Sequence, residues 1–124
     1  MRATILVFLV FLTLSLAPGV LAVDPLAHGK FKNLPGTLVF TPDPAQSGGQ
    51  LVLAEGDGYV PSNFAYWNVF TPNSLYAGSQ WVDATGHLSF TFQTAEPGLY
   101  EVRVYQQPNG KKQMLAALAY LGVR

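Results

Sequence analysis

Two segments in the second half of the chain alternate with a period of two. His87 to Gln93 sets Leu88, Phe90 and Phe92 on one side and His87, Ser89 and Thr91 on the other. Leu99 to Gln106 sets Tyr100, Val102 and Val104 opposite Glu101, Arg103 and Tyr105. Successive side chains of a strand point to opposite faces, so this pattern suits a sheet with one buried and one wet face. A helix would need apolar residues recurring every three or four positions, which neither segment has. Turn chemistry brackets both. Asp83-Ala84-Thr85-Gly86 carries Asp first and Gly fourth, as a type I turn prefers, and Gln107-Pro108-Asn109-Gly110 reads as a hairpin turn.

The same reading extends upstream. Thr37 to Thr41 is a first strand, ended by Pro42-Asp43-Pro44. Gln50 to Ala54 is a second, after Ser47-Gly48-Gly49 and before Gly56-Asp57-Gly58. Phe64 to Phe70 is a third, stopped by Thr71-Pro72-Asn73-Ser74. Short pieces follow at Leu75-Tyr76 and at Ser79 to Val82. Lys112 to Val123 closes the set; Met114 to Tyr120 is rich in Ala and Leu and has a helical alternative, but its place after a hairpin turn favours a strand. Short strands separated by turn signals about every 8–12 residues indicate an all-β sandwich or barrel.

The N-terminus is of another kind. Arg2 precedes an apolar run from Ala3 to Ala17, Pro18-Gly19 breaks it, and Val20-Leu21-Ala22 offers the small or apolar residues that a signal peptidase reads. We therefore expect residues 1–22 to be a signal peptide, helical in its apolar part and cleaved after Ala22. The run is shorter than the roughly 20 residues that span a bilayer, which weighs against its rival, an uncleaved anchor. Residues 23–35 lack periodicity and read as a flexible lead-in, leaving 36–124 as one domain. The expected location is secreted, periplasmic or cell-surface. There is no cysteine, so a thiol nucleophile, a thiolate metal site and a lipidated cysteine are excluded. Formal net charge is zero with only 11% charged residues, which leaves no basic patch for nucleic acid or acidic lipid; membrane attachment would need the leader retained.

Glu96-Pro97-Gly98-Leu99-Tyr100-Glu101-Val102 resembles the stretch that opens strand F of immunoglobulin domains, with Val102 where antibody domains place the second cysteine. The wider course is similar to the Ig-like domains of bacterial and archaeal surface proteins: Pro42 and Pro44, Gly48-Gly49, Gly56-Asp57-Gly58-Tyr59-Val60-Pro61, Asp83-Ala84-Thr85-Gly86, then Gly98-Leu99-Tyr100. The resemblance implies an immunoglobulin-like Greek-key sandwich of about seven strands. It makes Tyr100 the corner tyrosine bonded to backbone just upstream, Trp67 the core Trp of strand C, and Leu51 or Leu53 the counterpart of the first cysteine. Gly98, Trp67, Tyr100 and Val102 are thus structural candidates. The fold hosts many unrelated roles and names no function by itself.

No catalytic, metal or cofactor site is expected. His28 and His87 have no ligand spacing to an acidic partner, and the aspartates stand in turns, where such side chains bond their own backbone. The serines are scattered, without a nucleophile elbow. The sharper expectation is a binding face. If Trp67 points inward with Ala65 and Val69, then Phe64, Tyr66, Asn68 and Phe70 point outward, beside Glu101, Arg103 and Tyr105 of strand F and the apolar strand G. Phe64, Tyr66, Phe70, Arg103 and Tyr105 are the candidate contact residues on this C-F-G face, for a protein partner, for self-association or for a polysaccharide. The alternative parity would bury Phe64 and Tyr66 and leave Trp67 at an edge.

Overall fold

A computed structural model describes residues 33–124; the expected signal peptide and most of the lead-in, residues 1–32, lie outside the described residues. Seven strands form, all in antiparallel pairs: β1 (Val39–Thr41), β2 (Leu51–Gly56), β3 (Asn63–Phe70), β4 (Leu75–Val82), β5 (Leu88–Gln93), β6 (Gly98–Gln106) and β7 (Met114–Val123). They make two sheets, ordered β1-β2-β5 and β4-β3-β6-β7. The fold is an all-β, immunoglobulin-like Greek-key sandwich, and no helix occurs among the described residues.

The two alternating segments face as their patterns require. Leu88, Phe90 and Phe92 of β5 are buried, as are Tyr100, Val102 and Val104 of β6. They meet Ala65 and Val69 of β3, Val82 of β4, Val52 and Ala54 of β2, and Ala117 and Leu121 of β7. Within the β1-β2-β5 sheet Phe40 meets Phe92 edge-on at 6.3 Å, and between the layers Trp67 lies flat on Phe90 at 4.8 Å with 7° between planes. The last segment is a strand, because its pairing along the whole of β6 satisfies backbone groups that an isolated short helix would leave to water. A bulge after Val104 turns both Ala116 and Ala117 inward.

Three local expectations change. Val52 and Ala54 occupy the inward positions of β2, whereas Leu51 is exposed and Leu53 half-buried. Apolar residues fill both parities there, so alternation could not choose, and pairing of Val52 with Phe92 and Ala54 with Phe90 decides. The two pieces expected after the third strand are one strand, β4. Gly78 at its middle lies opposite Trp67, whose indole occupies the space a Cβ would need and covers the glycine backbone. Ladder pairing in β1 begins only at Val39, although Thr37 is already held, its N–H donating to the Asp57 carbonyl at 3.0 Å.

The corner between the layers is built on Tyr100. Its hydroxyl donates to the Glu96 carbonyl at 2.6 Å and accepts from the Ala95 N–H at 2.9 Å. Just before it, Gly98 adopts φ 141° with Pro72 packed where a side chain would start. The Glu96 carboxylate accepts from the Thr71 hydroxyl and the Asn73 N–H, both at 2.7 Å, which ties this corner to the β3–β4 turn. Tyr100→Phe leaves the Ala95 donor and the Glu96 acceptor without the hydroxyl. We expect a loss of about 1–3 kcal/mol, read as a drop of several degrees in thermal midpoint with the far-UV spectrum retained.

Candidate binding face

Because Trp67 is committed to the interior, its neighbours in β3 alternate outward. The face of the β4-β3-β6-β7 sheet turned away from the core follows from the registers. One row across it runs Ser79, Tyr66, Tyr105, Leu115; the next Ala77, Asn68, Arg103, Leu118; the third Leu75, Phe70, Glu101, Tyr120. A fourth row holds Trp81 and Phe64. The five expected contact residues therefore share one face, but two environments divide them.

At one end the face is open and aromatic. Phe64 is 49% exposed, Tyr66 45% and Trp81 51%. Phe64 and Trp81 are directly opposed across the strands, with ring centroids 4.9 Å apart and planes at 81°, an edge-to-face pair. Tyr105, half-buried, stands beside Tyr66. This corner carries no charge.

At the other end the face is closed over an ion pair. Glu101 was expected to point into solvent. It is on the outward side, yet only 1% exposed, set between its cross-strand neighbours Phe70 and Tyr120. The Arg103 Nε–H donates to the Glu101 carboxylate, and the guanidinium lies 5.2 Å from the centre of the Phe70 ring. Burial alone would lower the Arg103 pKa, but the Glu101 charge and a hydrogen bond with Tyr105 outweigh it and hold the pKa above the usual value. Arg103 and Phe70 thus spend their contact capacity on Glu101 and on each other, and the exposed candidates reduce to Phe64 and Tyr66.

Trp81 and Leu75, exposed by 51% and 55%, belong to the same face and were not singled out from sequence. A signal for Trp81 exists. The four-residue turn Thr71–Ser74 pairs Phe70 with Leu75, and counting back along both strands brings Phe64 opposite Trp81.

On the other sheet, His87 does have acidic neighbours. Its Nδ1 lies 2.9 Å from Asp57 and its Nε2 3.5 Å from Glu55, while the Asp83 carboxylate accepts from the His87 N–H at 3.0 Å and the Thr85 N–H at 2.8 Å. The Asp57 and Glu55 contacts span positions far apart in sequence, so spacing could not reveal them. No group of three or more His, Asp and Glu among the described residues is arranged to hold a metal ion. The hydrogen bond to Asp57 raises the His87 pKa, partial desolvation opposing it, with further support from the nearby carboxylates. A raised value means that the added stability is complete below the ordinary pKa of 6.5 and is lost as pH climbs through the raised one. The thermal midpoint should accordingly fall as pH rises above the ordinary histidine value of 6.5, and His87→Ala should flatten that slope.

No protein-family model matches the sequence, and no curated protein matches it. Among solved structures the chain is similar to one titled macromomycin, with 11% identity and a TM-score of 0.49 over 72% of this chain and 99% of that one. A likeness that slight assigns no function.

Proposed function

We propose that this chain is an exported module that acts by non-covalent binding or assembly at the cell surface, without catalysis, through the outward face of the β4-β3-β6-β7 sheet. The observation that carries this reading is the uncharged corner of Phe64, Tyr66 and Trp81, three aromatic side chains each about half exposed and contiguous on one rigid sheet. Aromatics grouped at the surface are the usual anchors of protein contacts, since they bury much apolar area while losing little side-chain freedom. Export rests on the leader, residues 1–22, and the absence of cysteine leaves non-covalent contacts as the means of retention. The second reading is a small carbohydrate- or ligand-binding domain. The exposure of Phe64, Tyr66 and Trp81 favours it, because aromatic side chains suit the apolar face of a sugar ring.

Tyr66→Ala and Phe64→Ala test both. Sedimentation of the full chain reads self-association, and co-pelleting with cellulose or chitin reads sugar binding. We expect either substitution to weaken the association that is present by about tenfold or more, with the thermal midpoint lowered by no more than about 2 °C. A monomer that pellets with polysaccharide supports the sugar reading. Association left intact while stability falls would show that these rings serve the fold alone.

A further inference from the structure

We propose that β4 is a self-pairing edge, through which two copies of this chain join their Leu75–Val82 strands antiparallel about a two-fold axis at Gly78. This deepens the assembly reading by naming the partner as a second copy, and it fails by different measurements.

The edge is open along its length. β4 ends the order β4-β3-β6-β7 and pairs with β3 from Leu75 to Val82 without a register shift. Among the described residues no other backbone group bonds to it. A strand in that position presents a row of unpaired N–H and C=O groups, which proteins usually protect with Lys, Pro, a bulge or short length. Leu75 to Val82 has eight residues, no Pro and no charged side chain.

The other edges are defended or less rewarding. β1 has three residues and runs into Pro42 and Pro44. The free side of β7 is taken at both ends, by the Gly36 N–H on the Ala116 carbonyl and by Ala45 bonded to Gly122 and Arg124. β5 turns only Ser89, Thr91 and Gln93 outward, so pairing there would bury little apolar surface.

The sequence of β4 matches a second copy of itself. A two-fold interface requires that a residue i meeting j be matched by j meeting i. The large exposed apolar residues of β4 are Leu75 and Trp81, each three positions from Gly78 and on the same side of the sheet. Setting Gly78 opposite its copy therefore puts Leu75 against Trp81 twice, Ala77 against Ser79 twice, and Tyr76 against Gln80 twice. A shift by two residues loses both Leu75–Trp81 contacts. No like charges meet, since the strand holds none. A seven-residue ladder, Leu75 to Trp81, is about 24 Å long and a sheet about 10 Å thick, so the pair would cover on the order of 500 Å² in all, less than a standard stable interface. The association is accordingly reversible. It would merge two four-stranded sheets into one of eight, with Phe64 and Trp81 of one copy beside Leu75 and Phe70 of the other.

Sedimentation equilibrium of the full chain decides. The parent chain should show a reversible dimer. Leu75→Lys and Trp81→Glu should each raise Kd about 100-fold, because each replaces the apolar Leu75–Trp81 contact with an unmatched charge twice per dimer. The double variant L75K/W81E should recover to within about tenfold of the parent, since ammonium and carboxylate then face each other across the axis. Ser79→Lys, at an exposed position clear of the Phe64–Trp81 pair, should also dissociate the dimer while the thermal midpoint is retained. A parent chain that stays monomeric at millimolar concentration overturns edge pairing, and so does a dimer that the β4 variants leave intact. If Tyr66→Ala breaks such a dimer, the face reading stands and the edge does not.

Discussion

The flat contact of Trp67 on Phe90 is the interaction on which the rest of this structure depends. It joins the two sheets near the middle of β3, in a chain that has no cysteine to join them covalently. By taking Trp67 inward it assigns the parity of all of β3, since side chains alternate without exception along an unbulged strand. Phe64, Tyr66, Asn68 and Phe70 must then leave the core, whatever their own apolar preference. The same indole covers Gly78, which keeps β4 in register with β3 and brings Trp81 opposite Phe64. Core packing and the exposed aromatic corner are two consequences of one ring's position.

The outward face is not uniform, and the reason is electrostatic. A carboxylate as buried as Glu101 is tolerable only when a cation and further polar contacts compensate its lost hydration. Arg103 supplies the cation and Phe70 and Tyr120 supply the cover, so that end of the sheet is occupied with its own neutralisation. The opposite end has no such demand and leaves its rings available. What looks like one aromatic surface is a closed ion-pair end and an open apolar end, the latter running to the free edge of β4.

The loop ends are held by side chains that reach across the fold. Gln106, fully buried, accepts from the Val60 N–H at 2.8 Å and donates to the Val60 carbonyl at 3.0 Å. The Thr94 hydroxyl accepts from the Gln50 N–H at 2.9 Å and donates to the Gln46 carbonyl at 2.6 Å. Together with the Tyr100 corner, these bonds satisfy backbone groups that would otherwise be buried unpaired. They make the loops firm supports of the sheets, and they direct attention to the sheet face and edge as the places where a partner can be met.

Much of this was legible in the residues. Alternation located β5 and β6 and their buried sides, turn chemistry separated the strands, and the resemblance of Glu96 to Val102 to an immunoglobulin strand F implied the Tyr100 hydroxyl bonded to backbone just upstream. These features are local, set by which face of a short segment is apolar and by which residues a turn tolerates. Three others depended on partners distant in sequence. The side of β2 that faces inward was settled by Phe90 and Phe92, because both of its sides are apolar. The burial of Glu101 came from Phe70 and Tyr120 on neighbouring strands, and the acidic surroundings of His87 from Glu55 and Asp57. Period and composition alone determined the all-β class and most strand positions. Which side chains are buried, paired or left open was decided only when cross-strand register brought remote residues within contact distance.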